Sequence, residues 1–471
     1  MKIIASILFS SILTLSAFSQ KSEKPKYIFL FIGDGMGLVQ SHITDTYLRT
    51  TKKDSISYLR FPNVGLQTTY SLSSQITCSA ASGTAFSCGQ KTKANYIGVD
   101  SNGNPLKSIA TFAKEKGYKV GILTSVSIDH ATPSVFYAHD ISRNSFHSID
   151  MQLATSNFDF FGGGALVEPI KGTENAYSEL KKNNYTIITS PDSLQFASKI
   201  GGKVCVLDLQ KEFPYKIDNI KNDFTIANVT QAAIETLDNP KGFFMMVESG
   251  KIDWACHSND AGTAIYETMA LNEAVNNAIA FYKKHPNETL IIVTADHETG
   301  GMAFGSALYP YYTNISIMQN QTISYSLLES KLKQEIESKK NEFTFNECMD
   351  FLTQFYSFGQ GQFQLSSYDS LRIHKAFDYM QNPSSKNIDE ETKLLYNLSA
   401  SSASYAAADR SMAIINTVNK ILAEKAGIGW TTYAHTGTPV PVYSIGKGSE
   451  KFAGIYDNTD IAKKIFTFLN Q

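Results

Sequence analysis

Four stretches of the chain are apolar almost without interruption, and each stops at a residue able to do chemistry. Tyr27-Ile-Phe-Leu-Phe-Ile32 runs into Gly33-Asp34-Gly35-Met36-Gly37, and Lys119-Val-Gly-Ile-Leu-Thr124 leads toward Asp129-His130-Ala131-Thr132-Pro133. Gly242-Phe-Phe-Met-Met-Val247 ends at Glu248, and Thr289-Leu-Ile-Ile-Val-Thr294 leads past Ala295 to Asp296-His297. A strand covered on both faces has no polar side to alternate with, so these runs predict buried strands of a parallel sheet. Segments of helical period lie between them, including Leu106 to Lys116 and Thr263 to Tyr282. The alternation predicts an α/β fold: a three-layer sandwich with a mostly parallel central sheet flanked by helices, joined by right-handed crossovers. In such a sheet ligands gather beyond the C-terminal ends of the strands.

One carboxylate at a strand end says little, because Asp also forms turns and caps helices. Four strand ends that each deliver Asp, Glu, His or Thr imply cations held by oxygen and imidazole. Asp253 and His257 have the i, i+4 spacing that puts two side chains on one face of a helical turn, and Glu248 precedes them by five residues. Tyr433-Ala-His435-Thr-Gly437 offers one more imidazole before a strand from Pro441 to Ile445. Taken alone, His435 is as well explained as a surface histidine.

Residues 75–89 place Cys78 beside Ser79 in a run of small side chains. Ser79 to Phe86 lacks the bulk of a strand and predicts the first turns of a helix, whose N-terminus favours an anionic group. A hydroxyl beside a metal can ionise as metal-bound water does, whereas a thiolate there would remain as a tight ligand. Ser79 is therefore the expected nucleophile, and Cys78 points elsewhere.

Composition removes several alternatives. Lys plus Arg number 42 and Asp plus Glu 44, a net charge of −2, so no global basic field supports nucleic-acid binding. The start, with Lys2, an apolar run from Ile3 to Leu15 and Ala17-Phe18-Ser19, predicts a secretory signal over 1–19; an uncleaved anchor is the alternative. No later segment is apolar enough to span a bilayer, which predicts a secreted or periplasmic protein without a membrane span after the signal is removed. The five cysteines are an odd number without CxxC or zinc-finger spacing; a Cys78–Cys88 bridge and free thiols stand equally. The six Asn-x-Ser/Thr sequons, such as Asn184-Tyr-Thr186, read as surface loops.

In order and spacing, these motifs resemble the alkaline phosphatases, metal-dependent phosphomonoesterases. The resemblance rests on Ile32-Gly-Asp-Gly-Met-Gly37, Thr77-Cys-Ser-Ala-Ala-Ser82, Gly98-Val-Asp100, Ala131-Thr-Pro133, Ser142-Arg143, Val247-Glu248, Ile252-Asp253 with His257, Thr294-Ala-Asp-His297 and His435-Thr-Gly437. It implies two zinc ions and one magnesium ion. Asp253, His257 and His435 resemble the ligands of a first zinc, and Asp34, Asp296 and His297, completed by Ser79, those of a second. Thr132 and Glu248, with Asp34 bridging, resemble the magnesium ligands, and Arg143 would grip two phosphate oxygens. The implied reaction is in-line hydrolysis of a broad range of phosphate monoesters through a phosphoserine on Ser79. Sulfatases, the cysteine-based relatives, need a C-x-P-S-R run that Cys78-Ser-Ala-Ala-Ser82 does not provide.

Three residues depart from the family pattern. Cys78 stands where many members have an Asp that orients the arginine, so Arg143 is expected to be less firmly held. His130 occupies a magnesium-side position where some bacterial members have Asp. Trp254 replaces a Lys or His, which should weaken phosphate binding and speed release. The phosphatase-like domain is expected over 20–305 and 409–471. Residues 306–408 form an insertion with one helical piece from Leu327 to Lys340, either a crown-like segment or large loop at a homodimer interface or an excursion packed on its own subunit. The alternatives to a monoesterase are a phosphodiesterase or other phosphoryl-transfer member, and an exported metal- or phosphate-binding protein without turnover.

Overall fold

The computed structural model describes residues 24–221, 223–339, 342–359, 361, 363–382 and 410–470; the leader at 1–19 and the end of the insertion lie outside them. Ten strands form the central sheet: β1 (Tyr27–Gly33), β2 (Asn63–Thr68), β3 (Lys119–Ser127), β4 (Phe160–Gly164), β5 (Tyr185–Ile188), β6 (Lys203–Asp208), β7 (Phe243–Ser249), β8 (Thr289–Thr294), β9 (Val440–Gly446) and β10 (Gly454–Asp457). Their order across the sheet is β10-β2-β9-β8-β1-β7-β3-β4-β6-β5. The four strands predicted from continuous apolar runs are the four adjacent central ones, β8-β1-β7-β3, mutually parallel and in register. Only β9 runs against its neighbours, antiparallel to both β8 and β2.

Period-two geometry sends successive side chains of a strand to opposite faces. Tyr27, Phe29 and Phe31 join Phe243, Met245, Val247, Ile291 and Val293 in one core, under the helices Ile226–Leu237 and Ala261–Lys284. Ile28, Leu30 and Ile32 join Phe244, Met246, Leu290 and Ile292 in the other, under Ile109–Glu115, Phe146–Thr155 and Thr459–Asn470. The three-layer sandwich follows from that division.

Phe29 is fully buried, and its ring centroid lies 5.0, 5.8 and 6.2 Å from those of Phe243, Phe281 and Phe31. Its replacement by alanine is expected to cost about 3–5 kcal/mol, because transfer and cavity terms add in a core that cannot collapse. A lowered urea midpoint at fixed metal concentration checks this.

The described part of the insertion is mainly helical. Tyr325–Ser338, Phe345–Tyr356 and Ser367–Gln381 pack with Ser411–Ala426 in a third cluster that also takes in Ile43, Tyr47 and Ile265 from the sandwich. This apolar seam holds the segment against its own chain.

Candidate metal centre and active site

The central strands deliver polar side chains to one edge of the sheet. Asp34 follows β1, Glu248 is the penultimate residue of β7, Asp296 and His297 follow β8, and Thr132 lies on the turn of helix Ala131–Ser134 beyond β3. Helix Lys251–His257 begins straight after β7 and carries Asp253 and His257. Gly35 permits the turn that aims Asp34: its φ is +69°, and a Cβ there would lie 2.8 Å from Asp253 Oδ1 and Thr299 Oγ1. Ser79 opens helix Ser79–Cys88, with Cys78 as its extended N-cap. His435 arrives on a two-residue strand, His435–Thr436, paired antiparallel with Glu298–Thr299.

These residues converge into groups with metal-ligand spacing. His257 Nε2 lies 3.3 Å from Asp253 Oδ2 and 3.1 Å from His435 Nε2, and His435 Nε2 lies 3.7 Å from Asp253 Oδ1. His297 Nε2 lies 3.4 Å from Asp34 Oδ1, 3.2 Å from Asp296 Oδ2 and 3.2 Å from Ser79 Oγ. Two ligand atoms about 2.0–2.1 Å from a tetrahedral zinc are about 3.4 Å apart, so both sets have the right size. Asp34, Glu248 and His130 form a third group with ligand atoms within 4.8 Å of one another, and Thr132 Oγ1 lies 3.5 Å from Asp34 Oδ2. Asp253, His297 and His435 also fall within 4.8 Å, and the rings of His297 and His435 stack at 3.6 Å, so the first two groups abut.

The donor set fits cations. His257 Nδ1 donates to the Tyr433 carbonyl at 2.6 Å and His435 Nδ1 to the Thr77 carbonyl at 2.8 Å. A carbonyl can only accept, so each Nε2 carries a lone pair in the neutral ring. Two lone pairs facing each other at 3.1 Å would be relieved by a divalent cation between them, or by a proton on His257: burial acts downward on that ring, but the Asp253 carboxylate outweighs it and raises it to about 8. Asp34 Oδ1, Asp296 Oδ2 and Glu248 Oε1 are buried without a hydrogen-bond partner among the described residues, while Glu248 Oε2 accepts from Thr124. Burial, reinforced by neighbouring carboxylates, pushes Asp34 well above the usual carboxylate range and Asp296 up to about 7; burial likewise pushes Glu248 up to about 7. Burial also acts upward on Asp253, but His257, His435 and His297 outweigh it and hold that carboxyl well below its ordinary value. Divalent ions would compensate this buried charge.

Chelation is therefore expected to lower the melting temperature, and restoring divalent metal to recover it. Saturation at a hundredfold excess over Kd contributes about 2.7 kcal/mol per site. Thermal unfolding before and after dialysis against a chelator measures the change.

Of the remaining predicted residues, Arg143, His130 and Cys78 line the approach, and Trp254 packs against His130. Arg143 Nη2 lies 3.0 Å from His130 Nε2, so the arginine that was expected to be loosely held has an imidazole acceptor. The Trp254 ring meets His130 edge-on at 6.2 Å, and Cys78 Sγ accepts the Asn95 backbone N–H at 3.3 Å. All five cysteines are free thiols, and burial pushes Cys88, Cys205 and Cys348 up to about 12, where they are inert at neutral pH. A cleft of about 640 Å³ opens over Ser79, Arg143, Asp253 and His435, with Ile76 and Phe146 on its wall. Thr299, Thr124 and the carbonyls of Thr77 and Tyr433 hold the clustered side chains and were not among the sequence candidates.

The family model described as alkaline phosphatase matches residues 25–159 and 170–471. Alkaline phosphatase 3 of Bacillus subtilis (strain 168) is 32% identical, over 99% of this chain and 96% of its own length. Among solved structures, the cold-active alkaline phosphatase of a psychrophilic Shewanella aligns with a TM-score of 0.77 at 26% identity, covering 94% of this chain and 100% of its own. A variant of the alkaline phosphatase from the Antarctic bacterium TAB5, with a histidine replaced by Asp, aligns with a TM-score of 0.63 at 27% identity over 95% of this chain and 98% of its own, and has magnesium bound in its M3 site.

Proposed function

Because the chain belongs to the alkaline phosphatase family, we propose that it is an exported enzyme that hydrolyses a broad range of phosphate monoesters through a phosphoserine on Ser79, using two zinc ions and one magnesium ion. The observation that carries this reading is Ser79 Oγ, 3.2 Å from His297 Nε2 at the start of a helix, beside Asp34 and Asp296. Asp253, His257 and His435 would hold one zinc; Asp34, Asp296 and His297, with Ser79, the second. Asp34, Thr132 and Glu248 would hold magnesium, with His130 alongside. When bound, these ions supply positive charge that favours an ionised hydroxyl and the charge developing in phosphoryl transfer.

The chain's own groups do the rest. Ser79 gives up its proton to solvent and its Oγ attacks phosphorus in line with the departing alcohol, forming the Ser–O–P bond as the ester bond breaks and the leaving oxygen takes a proton from water. Arg143 binds two non-bridging oxygens with its planar fork, and the helix N-terminus favours the same negative charge. Water then attacks phosphoserine from the opposite side, releasing inorganic phosphate and restoring Ser79; two inversions give net retention. Since these contacts involve only the phosphoryl group, the alcohol is loosely specified. The leader over 1–19 supports export, and among the described residues no helix is long and apolar enough to cross a membrane.

The test compares p-nitrophenyl phosphate with bis(p-nitrophenyl) phosphate on protein whose metals have been counted. Faster turnover of the monoester, with two zinc and one magnesium per chain, is the expected result. A fully metallated preparation without turnover, or with the diester preferred, would count against it.

A further inference from the structure

We propose that Thr299 is a positioning residue whose hydroxyl fixes the tautomer of His297 and the orientation of Asp253, and so couples the two zinc ligand sets. This rests on the metal reading of the same site. His257 and His435 each have Nδ1 on a backbone carbonyl, which decides their tautomers unambiguously. His297 is different: its Nδ1 lies 3.2 Å from Thr299 Oγ1, a hydroxyl that could donate or accept. Thr299 has one hydroxyl proton, and Oγ1 also bonds Asp253 Oδ1. An ionised carboxylate only accepts, so the proton goes to Asp253. Oγ1 is then left to accept from His297 Nδ1–H, which puts the lone pair on Nε2. That nitrogen faces Asp34, Asp296 and Ser79.

The hydroxyl thus touches one member of each set. Asp253 belongs with His257 and His435, whereas His297 belongs with Asp34 and Asp296. Its surroundings hold it in place. Thr299 is fully buried, its backbone N–H donates to the Gly35 carbonyl at 3.1 Å, and it pairs with His435 across the short antiparallel strands. Without a Cβ, Gly35 leaves room for Oγ1, which lies 2.8 Å from where that carbon would stand. Outer groups of this kind tune metal affinity by about 10–100-fold.

The test uses Thr299→Val, which keeps the branched shape without a hydroxyl, and Thr299→Ser, which keeps the hydroxyl without the methyl. Zinc affinity of metal-depleted full-length protein is measured by competition with a chromogenic chelator, and the visible spectrum of the cobalt(II)-substituted protein reports ligand geometry. Thr299→Val is expected to weaken both zinc equivalents by about 10–100-fold and change the cobalt spectrum, whereas Thr299→Ser stays within about threefold of the parent. If Thr299→Val does not fold, Thr299→Ala takes its place, with the same expectation. Parent-like affinity without the hydroxyl, a Thr299→Ser variant as impaired as Thr299→Val, or weakening of one zinc equivalent alone would each overturn the proposal. Because binding is measured apart from turnover, a parent that holds two zinc ions but does not hydrolyse monoesters would overturn only the catalytic reading. A parent that binds no zinc would overturn both.

Discussion

Replacing Ser79 by alanine is expected to lower kcat/KM for p-nitrophenyl phosphate by about 10³-fold or more, equivalent to roughly 4 kcal/mol of transition-state stabilisation. Its Oγ opens the helix and meets His297 Nε2 at 3.2 Å, whereas Ser82 Oγ in the same turn donates to the Asp296 backbone carbonyl at 2.6 Å. Removing one oxygen leaves the Ala/Ser/Gly packing of helix Ser79–Cys88 intact, so the fold should be retained, with metal affinity reduced only at the group that Ser79 completes. The measurement pairs steady-state kinetics with acid-quench trapping of phosphoenzyme. Label on the parent and none on the variant is expected. A variant as active as the parent, or labelled to the same extent, would remove Ser79 from the reaction.

Arg143→Ala carries the second large effect. A guanidinium that grips two phosphate oxygens makes two charge-assisted hydrogen bonds, each worth about 1.5–3 kcal/mol, so kcat/KM should fall by about 10²–10⁴-fold. Arg143→Lys should recover only part, because a point charge lacks the fork. The 3.0 Å contact between Arg143 Nη2 and His130 Nε2 adds a finer expectation. If His130 acts through Arg143, His130→Ala lowers kcat/KM about tenfold in the parent and has little effect in an Arg143→Ala background, a coupling that a double-mutant cycle resolves. Equal effects in both backgrounds would mean that His130 acts elsewhere, as at the Asp34 and Glu248 group.

The sequence made the site more legible than the sheet that carries it. The four central strands announce themselves because both faces are buried and nearly every position is apolar until the chemistry begins. The outer strands carry no such run. β4 reads Phe-Phe-Gly-Gly-Gly, and its glycines are there for space: a Cβ at Gly162 would lie 2.5 Å from Val229 Cγ1. β2 alternates buried with half-exposed residues around Gly65, and β10 has four residues at the sheet edge. In the insertion a single helix was expected where three are described before Ser411–Ala426. Their signals were in the chain: Thr344 with Glu347 and Ser366 with Asp369 form capping boxes, the reciprocal hydrogen bonds that mark a helix start.

The residues that converge on the cluster could be read because carboxylate and imidazole are rare enough at strand ends to stand out. Their supports could not. The carbonyls of Thr77 and Tyr433 belong to the backbone, which any residue supplies, and Thr299 looks like an ordinary β-branched residue until Asp253 and His297 are seen on either side of it. Likewise, Cys78 marked the loss of a carboxylate near Arg143, but only coordinates could put His130 within reach.

The pairing of Glu298–Thr299 with His435–Thr436 has a consequence for biosynthesis. The Thr436–Glu298 bond spans 138 positions, and His435 reaches back 358 positions to Thr77. A ribosome releases residues in order, so His435 emerges after every group it meets, and its loop closures are among the slowest to form. A nascent chain therefore carries Asp253 and His257 without their third partner until His435 follows, 178 positions after His257, and can close that metal-binding group only then.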